Sequence, residues 1–303
     1  MTTNRHTAVP GQALAWLVVL TLVWGLNWPL FGVALKEIPP FSFRAITLGV
    51  AALAVFALAR FRRLDLGVPK GMWPRLVAAS MGNFAVWNIA TAYAVLNMPS
   101  GHAALIGFSM PLWAAIIGFL FFHERLGPRH VLAVALGTLG VTLLMVEDFA
   151  AMATAPVGLA LMLAAAICWA ISTQVQKRTV WAMEPLTMTA WQMLIGLVPI
   201  AAGALLVDAP SWTLPSARAL AVSFLIGLVP VAIGTTAWFS IVRLLPANVA
   251  ALSSVTVPIV AVFSCALLLG EPLGVIQFTA LAATIAALAL VLMQPVRRAA
   301  PAE

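Results

Sequence analysis

The sequence predicts an all-α integral membrane protein with ten transmembrane helices, built as two inverted five-helix repeats. Three observations predict this class. Hydrophobic residues make up 63% of the 303 residues and charged residues only 8%, with a mean hydropathy of +1.06, a balance that soluble globular domains do not show. The chain contains ten apolar stretches of membrane-crossing length, and a segment of its first half recurs in its second half.

The apolar stretches are joined by short connectors, none of which could hold a separate soluble domain. A helix needs roughly 20 apolar residues to cross a hydrocarbon core of about 30 Å, so each stretch predicts one span. The first stretch is too long for a signal-peptide core, and we expect it to be retained. The predicted spans are 12–34, 39–59, 72–95, 99–122, 129–146, 157–176, 185–207, 218–242, 247–269 and 275–294.

The internal repeat is clearest in the fourth and ninth spans. Residues 99–127 align with residues 246–274 without a gap at an offset of 147, which pairs Pro111 with Pro258. The front of each half is less similar, and its pairing of Trp24 with Trp169 needs a different offset of 145. The alignment predicts an internal duplication.

Five spans per copy force the second copy to enter the membrane from the opposite side, because five is odd. We expect the first repeat over residues 1–150 and the second over residues 151–303. The natural boundary is the polar segment that follows Glu147 and ends at Pro156.

The net charge of +7 reports topology. If both termini are cytoplasmic, 13 of the 16 Lys and Arg residues lie on the cytoplasmic side, and three lie in the outer half: Lys36, Arg44 and Arg218. This split is typical of the positive-inside rule. The sequence therefore predicts cytoplasmic termini and no nucleic-acid partner.

Proline residues near the centres of the fourth and ninth spans predict hinges. A central proline removes a backbone hydrogen bond and clashes with the preceding turn. Membrane helices carry proline often, but Pro111 and Pro258 occupy equivalent repeat positions. We interpret them as paired hinge elements, with incidental kinks as the alternative.

Aromatic and amide side chains near span centres are candidate cavity residues. Trp24 and Trp169 lie far from any headgroup region, and Asn27 lies near Trp24. In the third span, Asn83 and Trp87 are four residues apart and share a helix face. Amides deep in a membrane need partners, so Asn83 either joins helices or lines a cavity; Tyr93 follows in the same span.

Ionisable groups are scarce inside the predicted spans. All nine acidic residues fall at span ends, in connectors or in a tail, whereas Arg44 and His102 are the clear intramembrane basic residues. Ion-coupled carriers commonly place a carboxylate in the membrane. Arg44 could extend to the surface and His102 could join helices. Alternatively, either could meet a substrate, and His102 could titrate near neutral pH.

Enzymatic and metal-binding motifs are absent from the sequence. There is no HExxH, GxSxG, Walker or CxxC pattern, so we predict neither an enzyme nor a bound metal or cofactor. Cys168 and Cys265 both lie within spans, where a thiol is usually a buried apolar group. We expect no disulfide.

Several of these residues form patterns that resemble the EamA repeat of the drug/metabolite transporter superfamily. The matching segments are Trp24-Gly25-Leu26-Asn27, Phe43-Arg44, the stretch from Ala103 through Pro111 to Glu124, and its copy from Ala250 through Pro258 to Glu271. Because it is rich in tryptophan, the chain looks most like the bacterial amino-acid exporters of the YddG type. Two departures are Ala170 in place of Gly25, and Thr189 or Gln192 where Arg44 would be mirrored.

The resemblance implies a pseudosymmetric basket of helices with a central cavity and alternating access. It implies substrate contacts for these residues, with Asn27 added from its position near Trp24: Trp24, Asn27, Asn83, Trp87, Tyr93, His102, Trp169 and Trp238.

The sequence and the resemblance together predict a monomeric carrier of the bacterial inner membrane. It would export amino acids, preferably aromatic or hydrophobic ones, or similar small metabolites by facilitated diffusion. One rival is an exporter of lipophilic drugs or lipid-linked sugars. A second rival is a structural or regulatory membrane subunit that carries no flux.

Overall fold

The computed structural model describes residues 11–123, 127–151, 155–238 and 252–292. Within these ranges the protein is helical and contains no strand, which confirms the all-α prediction. The helices of the first half are α1 (Gly11–Gly25), α2 (Asn27–Ala34), α3 (Pro40–Phe61), α4 (Trp73–Ser80), α5 (Trp87–Ala94), α6 (Ser100–Gly107), α7 (Met110–Phe122) and α8 (Pro128–Ala151).

The second half contains five described α-helices. They are α9 (Ala155–Lys177), α10 (Pro185–Gly203), α11 (Ala217–Ile226), α12 (Leu252–Leu269) and α13 (Val275–Leu292). The described helices follow the order of the predicted spans, but several run past the predicted limits; α8 continues to Ala151, five residues beyond the predicted end at 146.

Membrane-crossing length is met by six helical runs: Ala15–Ala34, Pro40–Phe61, Ser100–Phe122, Ala155–Lys177, Pro185–Ser211 and Ala217–Trp238. Shorter apolar helices cover Pro128–Leu144, Thr256–Leu269 and Val275–Leu290. The protein therefore has several membrane-spanning helices, while the count of ten crossings and the side of the termini stay predictions.

Two spans of the first half are interrupted. Leu26 separates α1 from α2, and Phe108 with Ser109 separates α6 from α7. Pro111 lies in the first turn of α7, where its missing N–H costs little. The equivalent helices α9 and α12 are continuous, and α12 runs through Pro258. A break therefore adjoins Pro111, but no break occurs at Pro258.

The interruption after Gly25 is supported from the second half. Pro29 has no N–H to donate to the Gly25 carbonyl four residues earlier. The Ser264 hydroxyl of α12, which also contacts the Ala261 carbonyl of its own helix at 3.0 Å, lies 3.3 Å from the Gly25 carbonyl and donates to it instead. A Cβ atom on Gly25 would lie 2.5 Å from Cβ of Val260, so only glycine permits this close approach of α1 and α12.

Short π-helical segments interrupt the α-helical hydrogen bonding of the third and eighth spans, which are equivalent in the two repeats. One covers Met81–Val86 between α4 and α5, and the other covers Gly227–Ile233 after α11. A further π segment, Ala204–Asp208, follows α10 and leads into a 3-10 turn at Ala209–Ser211. Such segments change the direction of side chains along a helix and are frequent at functional sites.

Contacts between helices follow a two-fold pattern. α3 packs against α10, α6 against α12 and α8 against α13, and each pair joins equivalent spans. α1 and α2 pack against α12, just as α6 and α7 pack against α9. Likewise, α3 contacts the Gly227–Ile233 segment while α10 contacts the Met81–Val86 segment. This pattern fits two structurally related repeats.

Two carboxylates bind the N-terminal ends of distant helices. Asp208 accepts hydrogen bonds from the N–H (2.6 Å) and hydroxyl (2.9 Å) of Ser42 in the first turn of α3. Glu271 accepts from the N–H groups of Ser100 (2.7 Å) and Gly101 (2.9 Å) at the start of α6. Helix N-termini favour negative charge, so these contacts tie the two halves together.

Glu37 makes a third contact of this kind. Its carboxylate accepts hydrogen bonds from the N–H (2.7 Å) and hydroxyl (2.8 Å) of Ser216, the residue that precedes α11. The Ser216 N–H and then its hydroxyl lower the pKa of Glu37 below its ordinary value, with a smaller contribution from the positive charge of Arg218. In the predicted topology all three carboxylates lie at the outer face.

Candidate functional site

A cavity of about 110 Å³ lies between helices of both halves, near the middle of several spans. This volume can hold several water molecules, since by this measure one water needs roughly 10–15 Å³. Its lining residues are Trp24, Asn27, Trp28, Phe31, Arg44, Asn83, Phe84, Trp87, Asn88, Phe108, Met110, Trp169, Pro230, Val231 and Thr235. The cavity is therefore mainly aromatic, with a few polar groups.

Five of the eight residues that the sequence singles out as substrate contacts line this cavity: Trp24, Asn27, Asn83, Trp87 and Trp169. They come from the first, third and sixth spans, and α4, α5 and the π segment between them pack directly against α9. The cavity therefore collects side chains that are far apart in the sequence.

Trp24 connects the cavity to the eighth span. Its indole N–H donates to the carbonyl of Pro230 at 2.9 Å, so its polar edge is satisfied inside the protein. Its ring stacks on Trp238 with centroids 6.2 Å apart. A Cβ atom on Gly234 would lie 2.3 Å from Nε1 of Trp24, which shows how closely the eighth span approaches this ring.

Trp87 and Trp169 form the contact between the third and sixth spans. Their ring centroids lie 4.9 Å apart with an interplanar angle of 63°, an edge-to-face arrangement that aromatic rings favour. Gly82 allows this approach, because a Cβ atom there would lie 2.3 Å from the carbonyl oxygen of Cys168. The pair forms a wall of the cavity with one ring from each half.

Asn83 both joins helices and lines the cavity, so its two interpretations apply together, whereas Asn88 bonds within its own span. Asn83 Nδ2 donates to Oε1 of Gln192 in α10 at 3.3 Å, and Asn88 Nδ2 donates to the Phe84 carbonyl at 2.7 Å. Oδ1 of Asn83 and Oδ1 of Asn27 are buried and have no partner among the described residues. Two acceptor oxygens thus remain available at the cavity.

Arg44 is buried and does not extend to the surface. Its side chain is 2% exposed and lines the cavity. Its guanidinium carbon lies 4.1 Å from the ring centroid of Phe31 and 5.0 Å from that of Phe43. One guanidinium nitrogen donates to the Thr91 hydroxyl at 2.6 Å. The positions Thr189 and Gln192 that could mirror it in α10 do not line the cavity.

The other three predicted contacts lie outside the cavity lining. Tyr93 packs against Phe41 with ring centroids 5.7 Å apart. His102 is buried in the first turn of α6, and Trp238 reaches the site only through the ring of Trp24. In this conformation they do not line the cavity, and their contact with the substrate stays a prediction.

Several lining residues had weaker signals in the sequence. Trp28 and Phe31 follow Trp24 at the spacing of one helix face, a periodicity that could have identified them. Phe108 and Met110 flank the break next to Pro111. Three further lining residues, Phe84, Val231 and Thr235, lie in or beside π segments. The α-helical periodicity of side chains does not apply there.

Carboxylates do not line the cavity in the part of the chain that the structure describes. The described acidic residues lie in connectors or at helix ends. Within the same residues, no group of three or more His, Cys, Asp or Glu side chains could hold a metal ion. The chemistry that the cavity offers is therefore aromatic packing and hydrogen bonding beside one cation.

Family comparisons agree with the internal repeat. The model of the EamA-like transporter family matches this chain twice, over residues 11–146 and 156–293. The chain therefore contains two EamA repeats, while their limits at residues 150 and 151 stay a prediction.

Two named relatives are bacterial exporters. A probable amino-acid metabolite efflux pump of Escherichia coli K12 is 28% identical over 275 residues, which cover 88% of this chain and 89% of that protein. The aromatic amino acid exporter YddG of Ancylobacter novellus is 26% identical over 144 residues, which cover 46% of this chain and 50% of that exporter.

A protein of known crystal structure has the same fold. The two structures superpose with a TM-score of 0.66 at 20% identity, covering 92% of this chain and 96% of the other.

Proposed function

The chain belongs to the EamA-like transporter family, and we propose that it exports amino acids, with aromatic and hydrophobic ones favoured, or similar small metabolites. As a member of this family with several apolar helices, it is a multi-pass solute transporter of the bacterial inner membrane. The amino-acid substrate is supported by the name of the Escherichia coli relative, which is similar over most of both chains.

The cavity is the observation that carries this proposal. Trp24, Trp87 and Trp169 present aromatic surface to it from both halves. Such rings pack against apolar side chains and attract an ammonium group to their faces. Asn27 and Asn83 add acceptor oxygens that have no partner among the described residues. An amphipathic amine with an apolar side chain fits both kinds of surface.

Alternating access is the proposed mechanism. Both halves contribute to the cavity, so a movement of one half relative to the other would open the site to one side at a time. The break between α6 and α7 next to Pro111 is a candidate hinge. We propose the equivalent Pro258 as its counterpart, although α12 is continuous there.

Transport is proposed to be facilitated diffusion. A coupling ion needs a group that binds it or carries a proton, and intramembrane carboxylates usually do so. Within the described residues, no carboxylate lines the cavity. His102 is the candidate exception, because it is an imidazole within a predicted span and an imidazole can carry a proton. The higher internal concentration of amino acids would then drive export.

The orientation follows from charge. We propose that both termini are cytoplasmic, which puts Glu37, Asp208 and Glu271 at the outer end. We also propose that the monomer is sufficient for transport and that its partners are the substrate and the lipid bilayer.

The decisive experiment is flux of radiolabelled amino acids in proteoliposomes with equal pH and sodium concentration on both sides. We expect saturable flux of aromatic and hydrophobic amino acids. Trp87→Ala should reduce it at least tenfold, because it removes an aromatic wall of the cavity. Trp181→Ala is the matched control, since Trp181 lies in a connector, where its indole donates to the Gln176 carbonyl.

Two outcomes would contradict the proposal. The absence of flux for every amino acid, in a protein that remains folded, would remove the amino-acid substrate. Flux that appears only under an imposed pH or sodium gradient would remove facilitated diffusion. In that case, His102→Asn tests whether the imidazole is the coupling group.

A further inference from the structure

Arg44 is a buried cation whose hydrogen-bonding capacity is only partly used: Nη2 donates to the Thr91 hydroxyl, but Nε has no acceptor among the described residues. It is 2% exposed in the first turns of α3 and lines the cavity. Among the described residues no carboxylate pairs with it, and its buried Nε donates to no acceptor. Burial of an unpaired charge is costly. The arrangement is therefore chemically incomplete without an anion.

The surroundings of Arg44 fix its position without neutralising its charge. The rings of Phe31 and Phe43 lie 4.1 Å and 5.0 Å from its guanidinium carbon, which stabilises a cation by ring electrostatics. An aromatic face accepts at most a weak N–H bond from a guanidinium. The in-plane N–H groups of a guanidinium match a carboxylate, which accepts two such bonds at once.

A purely structural role explains only part of this arrangement. Nη2 of Arg44 donates to Thr91 at 2.6 Å and so joins α3 to α5. The Thr91 hydroxyl also bonds its own helix, donating to the Trp87 carbonyl at 2.7 Å. A tie between two helices needs this one donor only. It does not explain why a permanently charged group lines the cavity with its Nε unpaired.

The same cavity contains the complementary groups. Oδ1 of Asn27 and Oδ1 of Asn83 are buried acceptors without partners among the described residues. Acceptor oxygens bind an ammonium group, whereas guanidinium donors bind a carboxylate. The cavity thus offers separate partners for the two charged groups of a zwitterion.

We infer that Arg44 binds the substrate carboxylate while Asn27 and Asn83 receive its ammonium group. The inference rests on the proposed function and narrows it: the cavity takes α-amino acids with a free carboxylate. It selects against amides, esters and decarboxylated amines of the same side chain. Arg44 is then a specificity-determining residue of the transporter.

The test compares four probes that share one aromatic ring. L-phenylalanine has both charged groups, L-phenylalaninamide lacks the carboxylate charge, 3-phenylpropionate lacks the ammonium, and phenethylamine lacks the carboxylate. Binding to purified protein is measured by calorimetry and by thermal stabilisation. The variants are Arg44→Gln and Arg44→Lys. Arg218→Gln is the matched control, because it removes an exposed cation from the predicted outer end.

The expected result is a change in selectivity. Wild-type protein should bind L-phenylalanine at least tenfold more tightly than its amide. Arg44→Gln should weaken L-phenylalanine at least tenfold and leave phenethylamine within twofold, so that the ratio of acid to amide approaches one. Arg44→Lys, which keeps the charge but loses the planar donor pair, should fall between. Arg218→Gln should keep the wild-type ratio.

Contrary results separate this inference from the proposed function. An unchanged acid-to-amide ratio in folded Arg44→Gln would make Arg44 structural only, even if amino-acid flux is normal. If Arg44→Gln does not fold, the test uses the acid-to-amide binding ratios of Arg44→Lys and of the wild-type protein. A wild-type ratio near one overturns the inference. If flux of amino acids is absent, stabilisation of wild-type protein by 3-phenylpropionate still supports an anion site. No stabilisation by either carboxylate overturns it.

Discussion

The two halves of this transporter share one pattern of helix contacts but divide the site unequally. Eleven of the fifteen lining residues belong to the first half and four to the second. The first half also has the two interrupted spans, α1–α2 and α6–α7, whereas their counterparts α9 and α12 are continuous. Duplication has kept the packing symmetric while the chemistry has concentrated in one copy.

The physical reason is that an interruption changes which side chains of a span face the cavity. At Leu26 and at Phe108–Ser109 the backbone leaves regular α-helical geometry, and the next residues, Asn27 and Met110, line the cavity. A continuous helix such as α9 presents one side only, and Trp169 is its single lining residue. The difference teaches that repeat-equivalent positions need not have equivalent roles.

Substitution of Gly25, next to the first interruption, should give the largest change in the free energy of unfolding. Gly25→Ala puts a Cβ atom 2.5 Å from Val260 and should lower the free energy of unfolding by about 1–3 kcal/mol through overpacking. Ala170→Gly at the equivalent position should cost about 0.5–1 kcal/mol, as glycine in a helix interior does. Thermal unfolding in detergent measures both.

Gly32→Ala is the matched control for this exchange. A Cβ atom on Gly32 would meet no atom within 4 Å, so this variant should unfold at or above the wild-type temperature. An equal loss at Gly25 and Gly32 would show that the close contact between α1 and α12 has no special role.

The two prolines should differ in their effect on transport rate. Pro111→Ala restores an N–H next to the break between α6 and α7, which allows the two helices to join. We expect roughly tenfold slower flux, equal to about 1.4 kcal/mol in the barrier, with substrate affinity changed less than about twofold. Pro258→Ala, within continuous α12, should slow flux less. Flux and equilibrium binding are measured in the same preparations.

If the two variants slow flux equally, the prediction from the sequence that the two prolines act as a symmetric pair of hinges would be supported. Equal losses in binding and flux would instead place the prolines in the binding site.

Ser264 should contribute a smaller stabilising effect. Ser264→Ala removes the hydrogen bond to the Gly25 carbonyl and should cost about 0.5–1.5 kcal/mol, the net value of one such bond. Ser223→Ala is the control, because the Ser223 hydroxyl is also buried but bonds only its own helix, at the Ala219 carbonyl. Unfolding temperatures that fall equally in both variants would remove the cross-repeat bond as the cause.

Substitution of Glu37 should give the smallest change in the unfolding temperature, and this change should depend on pH. Its pKa is lowered in the folded protein, so its stabilisation is present above the ordinary carboxyl pKa and is lost as pH falls through the lowered value. Glu37→Gln should therefore lower the unfolding temperature slightly at neutral pH and not at all in strong acid.

Glu184→Gln is the repeat-equivalent control for Glu37. Glu184 lies 147 residues later, and its side chain does not cap the helix that it precedes. Its replacement should leave the unfolding temperature unchanged at either pH. The same pH dependence in both variants would show that the Ser216 contact is not responsible.

Much of the fold could be predicted from the sequence, because apolar length and spacing determine where helices form in a membrane. The described helices follow the predicted stretches in order, with ends that differ by up to five residues at α8, and the family follows from patterns such as Trp24 to Asn27 and Pro111 to Glu124. Glu124 itself lies outside the described residues.

The site could be predicted only in part. Trp24, Asn27, Asn83, Trp87 and Trp169 were found because large rings and amides are unusual near span centres. Phe84 and Thr235 were missed because π segments move side chains away from α-helical periodicity. The sequence identified Arg44 as an intramembrane cation but left open whether it extends to the surface, since only the fold shows that Phe31, Phe43 and Thr91 contact its side chain.

The helix pairs with the most extensive packing, α8 with α13 and α3 with α10, all join the two halves. During synthesis the first half therefore emerges before the surfaces it needs exist. At roughly 5–20 residues per second, the ribosome needs about 10–30 s to supply the second half. Until then, the face of α3 that later packs against α10 and the face of α8 that later packs against α13 can be covered only by lipid or by an insertion chaperone. Each repeat is thus a unit of sequence and of helix arrangement, whereas the most extensive helix packing forms only when both repeats are present.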